Sequence, residues 1–339
     1  MKSDKPKISV LMPVYNGDQF LDKSIESVLN QTFNNFEYII INDGSTDDSL
    51  KVIESYEDSR IKIINFSKNM GIAAALNNGL KAAKGYYVAR QDQDDISLPD
   101  RFMLQIESLE NNDIDLVDTN FIFIDENDKY IQDYEKRYFS SDETLGHLFF
   151  YEMVHSSIMC KRSLFTKNNI HYRKRPTEDY DLFIRLAKAG MRAGRLDKKL
   201  IKQRKHPSSM CGSDWDNIKK DIDLMRIELV RDLGIEPTNY EKKLHIAFVD
   251  QNLSILCQYQ FRDVLCWANR IVTANTISRV YSSNYLKEQL YTRIRRLIKR
   301  KKRKSLMDMI ELRQSAKLYD KSISYRELFY IYRFISPTS

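Results

Sequence analysis

Three carboxylates fall within four residues at Asp92, Asp94 and Asp95, in the stretch Arg90-Gln91-Asp92-Gln93-Asp94-Asp95, directly behind the apolar run Tyr86-Tyr87-Val88-Ala89. Like charges crowded at a strand end repel, so one takes up a proton or the group captures a cation. Hard divalent ions such as Mg2+ and Mn2+ prefer carboxylate oxygens and commonly hold a substrate phosphate at the same time. A lone Asp-x-Asp reads as an acidic surface turn; its neighbours tip this one toward chemistry. A second acidic pair, Glu178-Asp179, precedes the stripe Leu182, Phe183 and Leu186. Alone it reads as helix-start acids answering the dipole; the alternative is a general base kept ionised by the helix terminus. Asp43-Gly44-Ser45 fits an Asx turn and a ligand contact equally well. No G-x-G-x-x-G follows the first strand and no G-x-x-x-x-G-K-[ST] occurs. A phosphate bound here therefore needs another counter-charge, which an ion on Asp94 would supply.

The elements that must position these groups alternate from Ile8 to about Asp125. Ile8-Ser9-Val10-Leu11-Met12 reads as a strand ending at Pro13, and Leu21, Ile25, Val28 and Leu29 as the buried stripe of a helix. Tyr38-Ile39-Ile40-Ile41 and Ile61-Lys62-Ile63-Ile64 are further strands. Ser45-Thr46-Asp47-Asp48 carries helix-capping chemistry. Ile72, Leu76 and Leu80 line another helix, which Gly85 closes, and Phe102, Ile106 and Leu109 line a third, opened by Ser97 and Pro99. Repeated βα units with apolar strands predict an α/β fold, a mostly parallel Rossmann-like sheet with helices on both faces. Ligands of such sheets bind beyond the carboxyl ends of the strands. Three polar clusters lie at those ends: Pro13-Val14-Tyr15-Asn16-Gly17, Asn42-Asp43-Gly44-Ser45 and Asp92-Gln93-Asp94-Asp95.

In their order along the chain, Val10-Leu11-Met12-Pro13-Val14-Tyr15-Asn16, Gln31-Thr32-Phe33, Ile41-Asn42-Asp43-Gly44-Ser45-Thr46-Asp47, Asn69-Met70-Gly71, Asp92-Gln93-Asp94-Asp95 and Glu178-Asp179-Tyr180-Asp181 resemble the family 2 glycosyltransferases. The resemblance covers roughly residues 7–212 and implies the GT-A fold with inversion at the transferred sugar. It implies that Pro13, Val14, Tyr15, Asn16 and Asp43 cradle the base of a nucleotide, that of UDP with Asp43 accepting from a uracil-type imide, with Gly71, Asp92 and Gln93 completing the nucleotide site. Asp94 is the implied metal ligand for Mn2+ or Mg2+, joined by His206, for which a solvated loop histidine is an equal reading. Asp179 is the implied general base and Glu178 its orienting partner or an acceptor contact. One departure is the glutamine between the acids, where smaller residues are usual; Gln93 must point away from the ion. His155 reads more simply as a packed histidine than as an acceptor contact, and Asn77 as a surface or capping residue.

Chemistry supports these roles independently. Displacement at an anomeric carbon needs a base for the acceptor hydroxyl and charge stabilisation on the leaving diphosphate. The base belongs on a different segment from the metal ligand, and Asp179 lies 85 positions beyond Asp94.

At 339 residues, 42% hydrophobic and 30% charged, two units are expected. We place residues 1–212 in the nucleotide-sugar-binding catalytic domain and 213–339 in a basic, mainly helical C-terminal region. That region holds 24 Lys and Arg against 15 Asp and Glu, so the whole basic excess resides there, and nine of the twelve residues 293–304 are basic. Such a run interleaved with Ile294, Leu297 and Ile298 suits either an anionic membrane surface or a solvated bundle face. Tyr319, Tyr325, Tyr330 and Tyr332 read as helix packing or an interfacial belt. No apolar run is long enough to span a bilayer and no signal-peptide pattern follows Met1. Cys160, Cys211, Cys257 and Cys266 lack C-x-x-C pairing and suit a reducing compartment. The expectation is a cytoplasmic enzyme, at the inner face of the plasma membrane if the basic run binds lipid. Its partners would be a nucleotide-sugar donor and a glycan or lipid-linked acceptor, with a homo-oligomer left open. An aspartyl phosphatase or phosphotransferase using Asp92 and Asp94 is a rival, but its motif belongs after the first strand. Nucleic-acid binding through the basic region is another; no recognisable motif accompanies it, and no nucleic acid is expected.

Overall fold

Alternation along the first strand sets the layers. β1 (Ile8–Val14) is buried at every position. Ile8, Val10, Met12 and Val14 pack with Leu21, Ile25 and Val28 of α1 (Asp18–Leu29), Ile53 of α2 (Ser49–Glu54), and Phe102, Ile106 and Leu109 of α4 (Arg101–Asn111). The opposite face carries Leu11 and, on β2 (Phe36–Asn42), Ile41, and there α3 (Ile72–Ala82) lies so close that a Cβ on Gly79 would sit 3.0 Å from Ile41 Cδ1. Helices therefore cover both faces. The computed structural model describes residues 5–135, 139–206 and 214–300. Cys211, residues 301–304 and the four C-terminal tyrosines singled out above lie outside them.

The strand order β3-β2-β1-β4 begins the sheet, with β3 (Ile61–Asn65) and β4 (Tyr87–Arg90), and all three pairings in this half are parallel. Beyond β4 the sheet turns mixed: β8 (Met159–Lys161) pairs antiparallel with β4 and with β6 (Leu116–Ile124), whereas β6 runs parallel to β9 (Ala193–Arg204). Parallel pairing thus prevails in the N-terminal half, and beyond it only β6 with β9 keeps it among the described strands. β1 also runs through Pro13 instead of stopping before it. Its pairing with β4 ends at Leu11 and Arg90, and Leu11 O accepts from Gln91 N. Pro13, two residues on, turns the same side toward a neighbour already gone, so its missing N–H breaks no ladder bond.

β5 (Ile96–Ser97) is only two residues long, yet it places the site. Ile96 pairs with Lys202 and Ser97 with Ile201, antiparallel. The end of β9 consequently runs back along the acid-rich loop that precedes β5. β7 (Tyr130–Tyr134) pairs with β6 at an exposed edge.

The chain divides into two compact units. Of the described residues, one unit comprises those up to Thr144 together with those from Glu152 to Asp221, and the other those from Leu145 to Tyr151 and from Ile222 on. α5 (Thr144–Leu148) thus carries the chain across to the second unit, α6 (Ser163–Asn168) and α7 (Glu178–Lys188) belong to the first, and α8 (Trp215–Arg231) crosses from the first to the second. The second is otherwise built from α9 (Asn239–Val249), α10 (Leu253–Leu256), α11 (Phe261–Ser278) and α12 (Ser283–Arg300). Within it Phe149 packs edge-on against His245 and Tyr281, and His147 Nδ1 lies 2.9 Å from Tyr285 Oη. Ile294, Leu297 and Ile298 are buried. The apolar stripe of the basic run is therefore used in the helical core and is not free to enter a bilayer, and Arg293 is itself buried.

Candidate active site

The acid cluster at the end of β4 separates into three jobs. Asp92 pairs with Arg90; burial and the charge of Asp94 raise its carboxyl pKa while Arg90 opposes the rise. Asp95 is buried and structural: its Oδ1 accepts from the backbone N of Arg204 at 3.1 Å, and burial with two acidic neighbours lifts its pKa well above the carboxylate range. Asp94 is left facing His206, with Nε2 2.8 Å from Oδ2. His206 packs on Phe20 with ring centroids 4.9 Å apart. Arg204 holds the strand end in place, since its Nε donates to Asp94 O at 3.0 Å and its guanidinium sits 4.5 Å over the Phe20 ring.

The loop's interior is fixed by a buried cation that the sequence reading passed over. Arg101 is fully buried and donates to Gln91 Oε1, Ser97 Oγ and the carbonyls of Arg90 and Ile158. Burial lowers its pKa to about 9, opposed by Asp95 and Asp92. Its position four residues after Ser97 was the available signal.

The nucleotide-type loops are stitched together by backbone recognition. Asp43 Oδ1 accepts from Met70 N at 2.7 Å and Oδ2 from Gly71 N at 2.8 Å. Gly71 takes φ +88° with ψ 154°, a conformation open essentially to glycine alone. Asp43 thus fixes the start of α3, and each oxygen keeps a lone pair for a ligand donor. Asn16 Oδ1 accepts from Thr46 N at 2.8 Å and Asn16 N donates to Ser45 Oγ at 3.1 Å. Gln93 turns onto the Tyr15 backbone: Tyr15 N donates to Oε1 at 2.8 Å and Nε2 donates to Tyr15 O at 3.2 Å. Its amide is therefore engaged away from the Asp94 carboxylate. Gly17 leaves room for it, because a Cβ there would lie 2.5 Å from Gln93 Cδ. Tyr15 stays 45% exposed, whereas Pro13 and Val14 are buried within β1.

Glu178 and Asp179 open α7. Asp179 Oδ1 accepts from Tyr180 N at 2.7 Å. Burial pushes the Asp179 carboxyl up to about 6, with Glu152 and Asp92 adding to the rise. Burial, with the Asp179 charge beside it, pushes Glu178 up to about 8, and Asp92 contributes there too. Both groups therefore lie within electrostatic reach of the acid cluster. The helix start is clamped from behind: Arg175 bonds Asp181 at 2.8 Å and Asp221 at 2.7 Å, and Asp221 accepts from the Thr177 hydroxyl at 2.5 Å.

Two residues read as bland differ in outcome. His155 is a satisfied histidine, its Nε2 2.9 Å from Tyr172 Oη, and burial keeps its pKa well below the usual value. Asn77 is no surface residue: it accepts from Tyr172 N at 2.9 Å and donates to Tyr172 O at 2.9 Å. A helix surface position facing a later loop carries no local pattern, so spacing alone could not reveal it.

The donor set at Asp94 fits a divalent ion. Neighbouring ligands on an octahedral ion with bonds of about 2.1 Å stand about 3 Å apart, close to the 2.8 Å between Oδ2 and Nε2. Among the described residues no cluster of three or more His, Cys, Asp or Glu side chains is arranged to hold an ion unaided. Such a two-donor site leaves the other positions to phosphate oxygens and water.

The family model for glycosyl transferase family 2 matches residues 9–175. An uncharacterised glycosyltransferase of Methanocaldococcus jannaschii is 34% identical over 207 residues, covering 59% of this chain and 71% of that protein. The chain belongs to glycosyl transferase family 2. Among its relatives is the O-antigen biosynthesis glycosyltransferase WbnJ of Escherichia coli, 34% identical over 183 residues, 53% of this chain and 71% of that one. Against the rickettsial glycosyltransferases it matches, the chain spans only 29 to 33% of their length. Among solved structures, TarS residues 1–349 of S. aureus in complex with UDP-GlcNAc superposes with a TM-score of 0.57 at 18% identity, covering 93% of this chain and 91% of that one. That likeness establishes the GT-A architecture expected for a family 2 glycosyltransferase. The family match sets the phosphatase reading aside. Among the described residues no helix is long and apolar enough to cross a membrane.

Proposed function

We propose that this glycosyltransferase is inverting and metal-dependent. It moves a hexose-type sugar from a nucleotide diphosphate, UDP in the first instance, to a hydroxyl of a growing lipid-linked glycan. The setting is surface-polysaccharide assembly on the cytoplasmic face of the plasma membrane. The observation that carries the reading is the pairing of Asp94 with His206 while Asp179, on a separate helix, responds to the charge of Asp92. Support for the donor class comes from TarS, crystallised with UDP-GlcNAc, and for the setting from the O-antigen relative.

Tyr15 offers its ring to the base, and Asp43 and Asn16 hold the loops that flank it. Asp94 and His206 would hold Mn2+ or Mg2+, which supplies positive charge for the departing diphosphate. Asp179 takes the acceptor's hydroxyl proton as the new bond forms at the anomeric carbon and the bond to the diphosphate oxygen breaks. A carboxyl raised to about 6 is still largely ionised at neutral pH and is a stronger base than an exposed aspartate. Glu178, raised to about 8, stays protonated and can donate a hydrogen bond to the acceptor or to Asp179.

Donor hydrolysis by the purified protein, screened across nucleotide-sugars with Mn2+, Mg2+ or EDTA, tests this reading. The expected result is ion-dependent hydrolysis of one UDP-sugar. Turnover that persists undiminished in EDTA would overturn the metal assignment.

A further inference from the structure

The helical unit holds a cavity of about 120 Å3 lined by Phe248, Leu256 and Leu297 and by Arg293, Arg296 and Gln251. Arg293 is 2% exposed. Its guanidinium stacks 4.2 Å over Phe150 and 4.8 Å over Tyr151, and Nη1 reaches Gln289 Oε1 at 3.2 Å. The Tyr151 side chain also hydrogen-bonds the guanidinium, yet among the described residues its Nε and Nη2 have no hydrogen-bond acceptor, and neither does the buried Nε2 of Gln289. Among the described residues lining the cavity none is acidic. A buried guanidinium without a carboxylate partner is costly unless something anionic meets it. Arg296, bonded to Gln251 Oε1 at 2.8 Å, adds a second positive charge at the same wall.

We propose that this cavity is an anion site for a phosphate group, with Arg293 and Arg296 as its ligands. Arginine forks suit phosphate oxygens, which accept from two N–H groups at once. The volume admits a phosphate, and the apolar walls admit the first carbons of a chain attached to it. Two sources share this chemistry: a free or sugar-borne phosphate, and the phosphate of a membrane lipid. The site is separate from the Asp94–His206 pair and does not rest on the function proposed above.

The test uses the full chain in EDTA, which removes any contribution from an ion at Asp94. Calorimetric titration with inorganic phosphate and pyrophosphate is run beside co-sedimentation with phosphatidylcholine vesicles, plain or containing phosphatidic acid. Variants are Arg296→Gln, at an exposed position that leaves the core intact, and Arg293→Gln. Loss of one charge-assisted contact should weaken binding about tenfold or more. A free-phosphate site gives titratable binding that both variants weaken; a lipid-phosphate site gives vesicle binding, dependent on phosphatidic acid, that both weaken. If neither probe binds, or if binding survives Arg296→Gln and Arg293→Gln unchanged, water satisfies these donors and the assignment is wrong.

Discussion

Nε2 of His206 stands 2.8 Å from Oδ2 of Asp94 across 112 residues of chain. The short antiparallel bridge of Ile96 with Lys202 makes this meeting possible, because it folds the end of β9 back along the acidic loop. If the two side chains share an ion, removing either should cost the same property. Asp94→Ala and His206→Ala are each expected to weaken Mn2+-dependent donor binding by more than about tenfold. Affinity measured in EDTA should be weak and equal among both variants and the parent. A His206→Ala protein with the parent's Mn2+ response would reduce the contact to an ordinary hydrogen bond.

Asp179→Asn keeps the size of the side chain and its bond from Tyr180 N but removes the proposed base. Turnover should fall by about 10²- to 10⁴-fold, with donor affinity nearly unchanged. The pH profile follows from the raised carboxyl. A base must be ionised, so kcat/KM of the parent should climb tenfold per unit below pH 6 and level off above it. A profile flat from pH 5 to 7 would remove Asp179 from proton transfer.

Glu178 gives a stability prediction with a definite sign. Its carboxyl is raised from 4.5 to about 8 in the folded protein. The folded state therefore holds the proton more tightly, and stability present below pH 4.5 is lost as pH rises toward 8. The slope is roughly 1.4 kcal/mol per pH unit in that window. Glu178→Gln cannot ionise and should lack this part of the decline. Urea midpoints of the two proteins, compared from pH 5 to 9, should diverge upward with pH in favour of the glutamine variant.

The parallel half of the fold was legible because its cause is local. Buried runs such as Tyr38-Ile39-Ile40-Ile41 and stripes such as Leu21, Ile25 and Val28 follow directly from period and burial. The carboxylates at Asp92, Asp94 and Asp179 were legible as types, since clustered acids after an apolar strand are rarely accidental. Their division of labour was not. The meeting of Asp94 with His206 was implied by the family resemblance alone; that Asp95 instead turns inward to Arg204 N depends on a two-residue strand pairing with a segment more than a hundred residues away. Arg293 was misread for a related reason: composition counts it as a surface cation, whereas the helical phase of Ile294, Leu297 and Ile298 leaves it buried.

Asp43 can be separated into its structural and its ligand-binding parts. Both oxygens hold backbone N–H groups of the turn that starts α3. Asp43→Ala leaves two donors unsatisfied and should cost about 1–3 kcal/mol of stability. Asp43→Asn keeps one acceptor but sets its NH2 against the other backbone N–H, so it should lose less stability than the alanine variant while its amide alters the pattern offered to a base. UDP affinity lost in the asparagine variant without a matching drop in thermal stability would assign Asp43 to the nucleotide; parallel losses would assign it to the turn alone.

Asn77 tests whether the loop ahead of α7 is held from a distance. Its amide pairs with both backbone groups of Tyr172, as a neighbouring strand would. Tyr172 in turn places its hydroxyl 2.9 Å from His155 and lies within electrostatic reach of Glu178 and Asp179. Asn77→Ala should therefore cost about 1–3 kcal/mol and also lower kcat, because a small misplacement of a catalytic group costs up to about a hundredfold. Donor affinity should be spared, since Asn77 touches none of the nucleotide loops' bonds described above. Asn78→Ala is the control: that side chain bonds only Ala74 O within its own helix. Equal kcat losses in the two variants would mean that α3 as a whole had softened, and that the Asn77–Tyr172 pairing has no special hold on Asp179.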